Sequence, residues 1–246
     1  MDLGITGRIA AVPAASAGLG LAVATALAAE GVRVAMCGRG EARLNGAAQR
    51  LGAVPLIADV STVEGAERFL DMVDDKVGPP DILVLNGGGP PPGDAVAAPL
   101  ESYADALQGT ALPAIAMCRA AVPGMADRHW GRVLAISSIT VKQPIPELVP
   151  STTARAALTG YLKSTATAYA AHGVTVNSLQ AGLHSTDRLV QVYGEHLEME
   201  SRAIPAQTLG RPADFGAVAA FLCSEHARFI TGASIPVDGG SNRGLM

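Results

Sequence analysis

Aromatic residues, charges and cysteines are all scarce in this 246-residue chain: 4% aromatic, 16% charged, three cysteines. So little aromatic surface leaves no base-stacking platform. A formal net charge of −4 gives no electrostatic footprint for nucleic acid or an anionic membrane, so neither is expected as a partner. Cys37, Cys118 and Cys223 lie far apart, with no CxxC pair and no histidine at metal-ligand spacing. No metal site is expected, and the thiols read as small buried hydrophobes in a reducing compartment. No stretch of about 18 uninterrupted apolar residues exists, and the opening MDLGITGR carries an acid and no long apolar core. Neither a membrane span nor a signal peptide is read from it. Lysine is rare as well: Lys76, Lys142 and Lys163 stand against 15 arginines among the 18 basic residues, a bias read as GC-rich coding. With 49% hydrophobic residues the composition is far from that of a disordered chain, and a soluble, cytoplasmic globular protein is expected.

What is present is an alternation of short apolar runs and longer helical patterns. Strands are predicted at Arg8–Val12, Val32–Cys37, Val54–Ala58, Asp81–Leu85, Arg132–Ser137, Val174–Leu179 and Ala233–Val237. Most are continuously apolar rather than alternating, which marks strands covered on both faces. Helices are predicted at Gly18–Glu30, Arg43–Leu51, Val63–Val77, Leu100–Ala126, Thr152–His172 and Ala213–Cys223. Repeated βα units of this kind imply a single α/β domain, a doubly wound parallel sheet in three layers. The GGGPPPG run at 87–93 reads as a rigid loop at the carboxyl edge of that sheet, where ligands bind in such folds. Residues 183–209, polar and without a clear strand, read as a substrate-side lid.

The first predicted strand runs into PAASAGLG at 13–20 and then an alanine-rich helix. Glycines at 18 and 20 allow close backbone approach, and a helix N-terminus offers free N–H groups to a pyrophosphate. A glycine motif alone is weak, but here it follows a strand and opens a helix, the context such a cradle needs. Ser16, Gly18, Leu19 and Gly20 are the cradle candidates. The second strand ends at Cys37-Gly38-Arg39; an arginine there accommodates a ribose 2′-phosphate, so NADP(H) is favoured over NAD(H). Asp59, followed by Val60, accepts from an adenine amino group or caps the helix beginning near Ser61.

Along essentially its whole length the chain resembles the short-chain dehydrogenase/reductase family, whose fold is a Rossmann sheet in the order 3-2-1-4-5-6-7. The resemblance rests on Gly18-Leu19-Gly20, ADV at 58–60, LNGG at 85–88, ISS at 136–138, VNSLQAG at 176–182 and, most specifically, the tail from Gly210 to Gly240. It is similar to the 3-oxoacyl-carrier-protein reductase type, which implies a homotetramer or homodimer. Carried over residue by residue, it implies cofactor contacts at Asn86, Gly87, Gly88, Gly182 and Thr186 and a carbonyl-holding serine at Ser138.

Several positions depart from the family pattern. Pro13-Ala14 stands where Thr-Gly is usual, and an alanine at 14 is expected to require a negative φ. Thr110 aligns with a structural asparagine, and Ala181-Gly182 replaces Pro-Gly. The Tyr-xxx-Lys motif is missing: its register lands on Ser151 and Arg155, and the residues four after Tyr103, Tyr161, Tyr169 and Tyr193 are Leu107, Thr165, Gly173 and Leu197. The chain is similar instead to an atypical branch with Ser-xxx-Arg.

Ser151 is far too weak an acid to replace a tyrosine, and Arg155 keeps its charge and relays no proton. One helical turn apart, both can face the cofactor, Ser151 polarising a carbonyl with Ser138 and Arg155 binding ribose hydroxyls or an oxyanion. Three readings follow: a reductase of a ketone or enone in a hydrophobic, acyl or polyketide-like compound whose proton comes from elsewhere; a non-redox cyclase, dehydratase or isomerase; or a catalytically inactive cofactor-binding or partner protein. Lys142, Gln143 and His184 are candidate substrate contacts, His184 as a proton source on the lid or a solvated loop histidine. His172 and His226 read as dipole partners at helix ends, and His129 and Trp130 as packing residues. Glu195, Glu198 and Glu200 read as a solvated face.

Overall fold

The predicted apolar runs all become strands: β1 (Ile9–Val12), β2 (Arg33–Gly38), β3 (Val54–Ile57), β4 (Ile82–Leu85), β5 (Gly131–Ser138), β6 (Val174–Ala181) and β7 (Ser234–Val237). They come from a computed structural model that describes residues 1–187, 189–190 and 194–245, with the Glu195 side chain outside the description. All pairings are parallel, in the order β3-β2-β1-β4-β5-β6-β7. The order reverses between β1 and β4, and the crevice outside their carboxyl ends is where this architecture takes a ligand.

The helices α1 (Gly18–Ala29), α2 (Glu41–Leu51) and α3 (Val63–Lys76) follow the first three strands. After β4 come α4 (Leu100–Ala106) and α5 (Leu112–Asp127), then α6 (Val149–Tyr169), α7 (Leu197–Ala203) and α8 (Pro212–Leu222). One face of the sheet is covered by α3, α5 and α6 through Phe69, Val73, Met117, Met125, Leu158 and Leu162. The other is covered by α1, α2 and α8 through Val23, Leu27, Leu44, Phe215 and Leu222. Burial on both faces is why the strand sequences lack alternation. Helices α1 and α8 press together closely enough that a Cβ at Gly216 would run into the Ala22 carbonyl.

The long helix expected over Leu100–Ala126 is interrupted. A π turn at Leu107–Ala111 separates α4 from α5. Pro113 has no N–H with which to answer the Gly109 carbonyl, so the ladder widens where an α-helix would have needed that donor. Thr110, read from the sequence as aligning with a structural asparagine, sits in this π turn. Helix α6 starts three residues earlier than expected, with Pro150 in its first turn, where the missing N–H costs nothing.

At the amino edge, Trp130 packs as expected, between the Arg8 and Arg132 guanidiniums at 3.8 and 4.3 Å. His172 ends a 3₁₀ turn and stacks on His129, the ring centroids 6.4 Å apart. His226 lies four residues beyond the end of α8, and its Nε2 donates to the Asp2 carbonyl at 2.8 Å, tying down the N-terminal segment.

Candidate active site

Helix α1 begins without a side-chain cap, because its N-cap is Ala17, and its first turn carries no acid. Its first intrahelical bond is Leu21 N–H to Ala17 O at 3.2 Å, so the amides of Gly18, Leu19 and Gly20 have no helical carbonyl to reach. Gly18 has φ +60, and a Cβ there would meet nothing closer than Thr186 Cγ2 at 3.9 Å. The space above it is open, and the Thr186 methyl lies across that space. Gly20 is enclosed instead: a Cβ would strike Asn86 Nδ2 and the Ala14 carbonyl. Asn86 holds the loop from below, donating from Nδ2 to Pro13 O and Ala14 O, both at 3.1 Å. An uncapped dipole, open glycine backbone and a braced loop fit the pyrophosphate of a dinucleotide.

Ala14 corrects an expectation. Its φ is +49, in the left-handed region, not negative. The loop keeps the path a glycine would take, at a strain of about 1–2 kcal/mol. The anchors that impose it are the Asn86 amide and the Ala15 N–H bond to Cys37 O at 2.9 Å.

At the end of β2, Ser16 lies against Gly38, close enough that a Cβ there would meet Ser16 Oγ at 3.2 Å. The cradle serine is thereby brought beside Arg39. The Arg39 guanidinium is exposed and its Nη1 stands 3.9 Å from Asp59 Oδ2. Asp59 does not cap α3: its Oδ1 accepts from Ser61 N–H at 3.0 Å, while the cap is Thr62, whose Oγ1 accepts from Gly65 N–H at 3.0 Å. Hydrogen bonding from Ser61, with a smaller contribution from Arg39, holds the Asp59 carboxyl below the usual carboxylate range. Val60 packs into the core, and Gly87 and Gly88 have open space over their Cα atoms.

Ser138 ends β5, and its Oγ accepts from Thr140 N–H at 3.2 Å at the start of a 3₁₀ turn, Ile139–Val141. Arg155 donates from Nε to Ser151 Oγ at 3.3 Å and from Nη1 to the Ile136 carbonyl at 3.1 Å. The arginine thus ties the start of α6 to β5, two residues before Ser138. The GGGPPPG loop is fixed to the same place: Gly93 N–H donates to Glu147 O at 2.8 Å, and Val149 N–H to Gly93 O at 3.1 Å.

No described tyrosine takes the proton-donor role by position. The Tyr103 hydroxyl is spent on the Ala95 and Asp94 carbonyls, at 2.8 and 3.2 Å. Burial pushes the Tyr161 phenol up, the wrong direction for a donor near neutrality. Tyr193 lies outside the described residues.

Of the expected substrate contacts, Lys142 donates to Ser234 O at 3.3 Å, and Gln143 Oε1 accepts from Arg243 N–H at 2.8 Å, both toward β7 and the tail. His184 is not a solvated loop histidine. It is 5% exposed, edge-on to Phe215 at 5.1 Å, with Nδ1 donating to Gly182 O at 3.1 Å. Burial lowers its pKa below the ordinary histidine value. It pins the foot of the 183–210 excursion, where Ser185 N–H meets Gly210 O and Gly210 N–H meets Leu183 O, both at 2.9 Å. Gly182 is pressed on Asp238 and donates to Val237 O at 3.0 Å. Glu198, read as solvated, is exposed and pairs with Arg202, while Glu195 falls on a side chain outside the description.

No sequence motif marks Arg43. Its Nη2 meets Asp187 Oδ2 at 2.7 Å, joining α2 to the segment after β6. A cavity of about 740 Å³ lies here, and Ser16, Gly18, Arg43, Thr186 and Asp187 are among its lining residues.

Fold and cradle together define a Rossmann-type, dinucleotide-binding protein. The family described as Enoyl-(Acyl carrier protein) reductase matches residues 14–242. "Dehydrogenase/reductase SDR family member 4" from Sus scrofa is 32% identical over 244 residues, 95% of this chain and 87% of the relative. Among solved structures, L-sorbose reductase from Gluconobacter frateurii, complexed with NADPH and L-sorbose, is 29% identical with a TM-score of 0.93, each chain covered completely. An NADPH-bound short chain oxidoreductase from Pseudomonas aeruginosa PAO1, described as containing an atypical catalytic center, is 27% identical with a TM-score of 0.88, covering 96% of this chain and 97% of its own. The chain belongs to the short-chain dehydrogenase/reductase family, and its class is that of an oxidoreductase.

Proposed function

We propose that this protein is an NADP(H)-dependent reductase of a ketone or enone in an apolar substrate, working without a tyrosine proton donor. The observation that carries it is the pairing of an intact cradle, uncapped at Gly18–Gly20, with an exposed arginine at the end of β2 beside Ser16. An exposed cation there suits a ribose 2′-phosphate, and the NADPH-bound relatives agree with that choice. Bound NADP(H) would supply the hydride; Gly18, Leu19 and Gly20 would hold its pyrophosphate, with Asn86 bracing their loop and Thr186 closing over it.

Ser138 holds the carbonyl oxygen by donating its hydroxyl while its Oγ accepts from Thr140. Arg155 orients Ser151 through Nε and adds a fixed positive charge near the developing oxyanion. Residues 183–209 act as a lid on a two-bond stem closed by His184. The chain is taken to work as a homotetramer or homodimer, which would cover Phe229, 99% exposed beside β7.

Titration with NADPH and NADH, followed by nicotinamide fluorescence, tests the reading. Tight NADPH and weak NADH binding is expected; saturation by neither at millimolar cofactor overturns it. A non-redox activity on the same scaffold is the second reading, favoured by the missing acid, and it is distinguished by product formation without NADPH consumption.

A further inference from the structure

Gln180 is 1% exposed on β6, yet neither its Oε1 nor its Nε2 has a hydrogen-bond partner among the described residues. Two buried hydroxyls nearby in the fold share that condition, Thr140 Oγ1 and Thr152 Oγ1. They lie on elements that carry or adjoin Ser138 and Ser151. Gln180 pairs across the sheet with Ser137 and shares its face, the one that α6 covers, while the Ser138–Ala181 pair follows one residue on. Thr140 gives its N–H to Ser138 Oγ, and Thr152 follows Ser151. The elements that carry them, β6, the 3₁₀ turn and α6, pack on one another.

Thr152 stands out on its own helix. Thr153, Thr159, Ser164, Thr165 and Thr167 each donate a hydroxyl to the carbonyl four residues back. The Thr152 hydroxyl does not, although its N–H takes the corresponding Leu148 carbonyl at 2.9 Å. Two other such hydroxyls, on Thr175 and Ser224, belong to the opposite, amino end of the sheet.

Buried polar groups are retained when something answers them, and internal water does so where two to four polar atoms converge. An amide that both donates and accepts, on a strand packed against the elements of two unanswered hydroxyls, matches a molecule that does the same. We infer that Gln180, Thr140 and Thr152 bind ordered water behind Ser138 and Ser151, and that this water passes to the site the proton that no tyrosine supplies. Gln180 is a positioning residue here, acting through the water.

The inference rests on the reductase reading. The carbonyl carbon receives hydride from the reduced nicotinamide as the C=O π pair moves to oxygen. That oxygen takes a proton from a serine hydroxyl, the serine is reprotonated by the internal water, and the water is restored from solvent. A serine that gains one proton as it gives one never carries a full negative charge, so the relay recovers part, not all, of what a tyrosine general acid would contribute.

Crystal structures of the wild type and Gln180→Leu, at a resolution that shows ordered water, test the site. Water bonded to the Gln180 amide and a threonine hydroxyl, lost in the variant, is expected. A dry amide, or one turned onto a protein partner, overturns the inference, and the wild-type crystal decides this even if the variant does not fold.

The proton role is read with NADPH and 2,3-butanedione in H₂O and D₂O. Gln180→Leu is expected to lower kcat about tenfold or more with unchanged NADPH affinity and an altered solvent isotope effect, and Gln180→Glu to recover most of it. Unchanged kcat after loss of the water overturns the relay. A hydrated wild type that binds NADPH but reduces no carbonyl fails the reductase reading instead, and takes the relay's function with it.

Discussion

Arg155 Nε donates to Ser151 Oγ at 3.3 Å, while the same guanidinium reaches the Ile136 carbonyl at 3.1 Å. In the register read from the sequence these two residues fall where the family has tyrosine and lysine, and their geometry is that of a fixed cation steadying a hydroxyl. Restoring the usual pair, Ser151→Tyr with Arg155→Lys, is expected to raise carbonyl-reduction kcat by about 10²-fold or more, the ordinary worth of a general acid. A folded, NADPH-binding double variant with no gain would show that proton supply is not what limits the wild type.

Ala14, with φ +49, carries strain that a glycine would not. Ala14→Gly relieves about 1–2 kcal/mol of it and gives back about 0.5–1 kcal/mol in unfolded-chain entropy. A Tm rise of about 1–4 °C by calorimetry follows. An unchanged or lowered Tm would mean that the surrounding bonds fit alanine without strain.

Under the proposed function, Arg39 discriminates between cofactors by charge. Arg39→Ala is expected to weaken NADPH binding about 10–100-fold and to leave NADH within about twofold, since a charge-assisted bond to phosphate is lost from one cofactor alone. Equal losses for both would place the 2′-phosphate elsewhere.

The Arg43–Asp187 pair, 2.7 Å apart, ties α2 to the segment beside Thr186, across a cavity that Gly18 also lines. Both partners are exposed, so the pair is worth little by itself and is screened by salt. Asp187→Asn is expected to speed NADPH release about 2–5-fold in stopped flow at low salt, the difference fading as salt rises. The reversed pair, Arg43→Asp with Asp187→Arg, should bring the rate back; a rate indifferent to all three changes would remove the strap.

His184 makes stability depend on pH. Burial lowers its folded pKa below the ordinary 6.5, so protons bind the unfolded chain more readily. The contribution is whole above about pH 6.5 and drains away as pH falls through the lower folded value. Tm should therefore drop between about pH 7 and 5 in the wild type, and less steeply in His184→Gln. Parallel curves would assign the acid sensitivity to other groups.

Much of the fold was open to sequence reading because its signals are short-range. A continuous apolar run such as DILVL at 81–85 belongs in a strand covered on both faces, and β4 lies there. The cradle was legible for the same reason, since a strand, two glycines and a helix follow one another within one unit. The helix at 100–126 was misread at a single place, the π turn before Pro113, where one absent N–H outweighs the periodicity around it.

What the sequence determined by itself, then, is the alternation of strands and helices, the glycine loop, the arginine after β2 and the Ser151–Arg155 spacing on one helix. Each is set within a few residues by period, turn chemistry or the lack of a donor. Only the tertiary structure decided the rest. It turned Ala14 left-handed through the side chain of Asn86, 72 residues away, and it buried His184 on Phe215. It brought Asp187 to Arg43 across 144 residues and closed Gln180 away from solvent beside Ser137. Those relationships depend on which strands lie side by side, and no local pattern records what a returning strand will set against its neighbour.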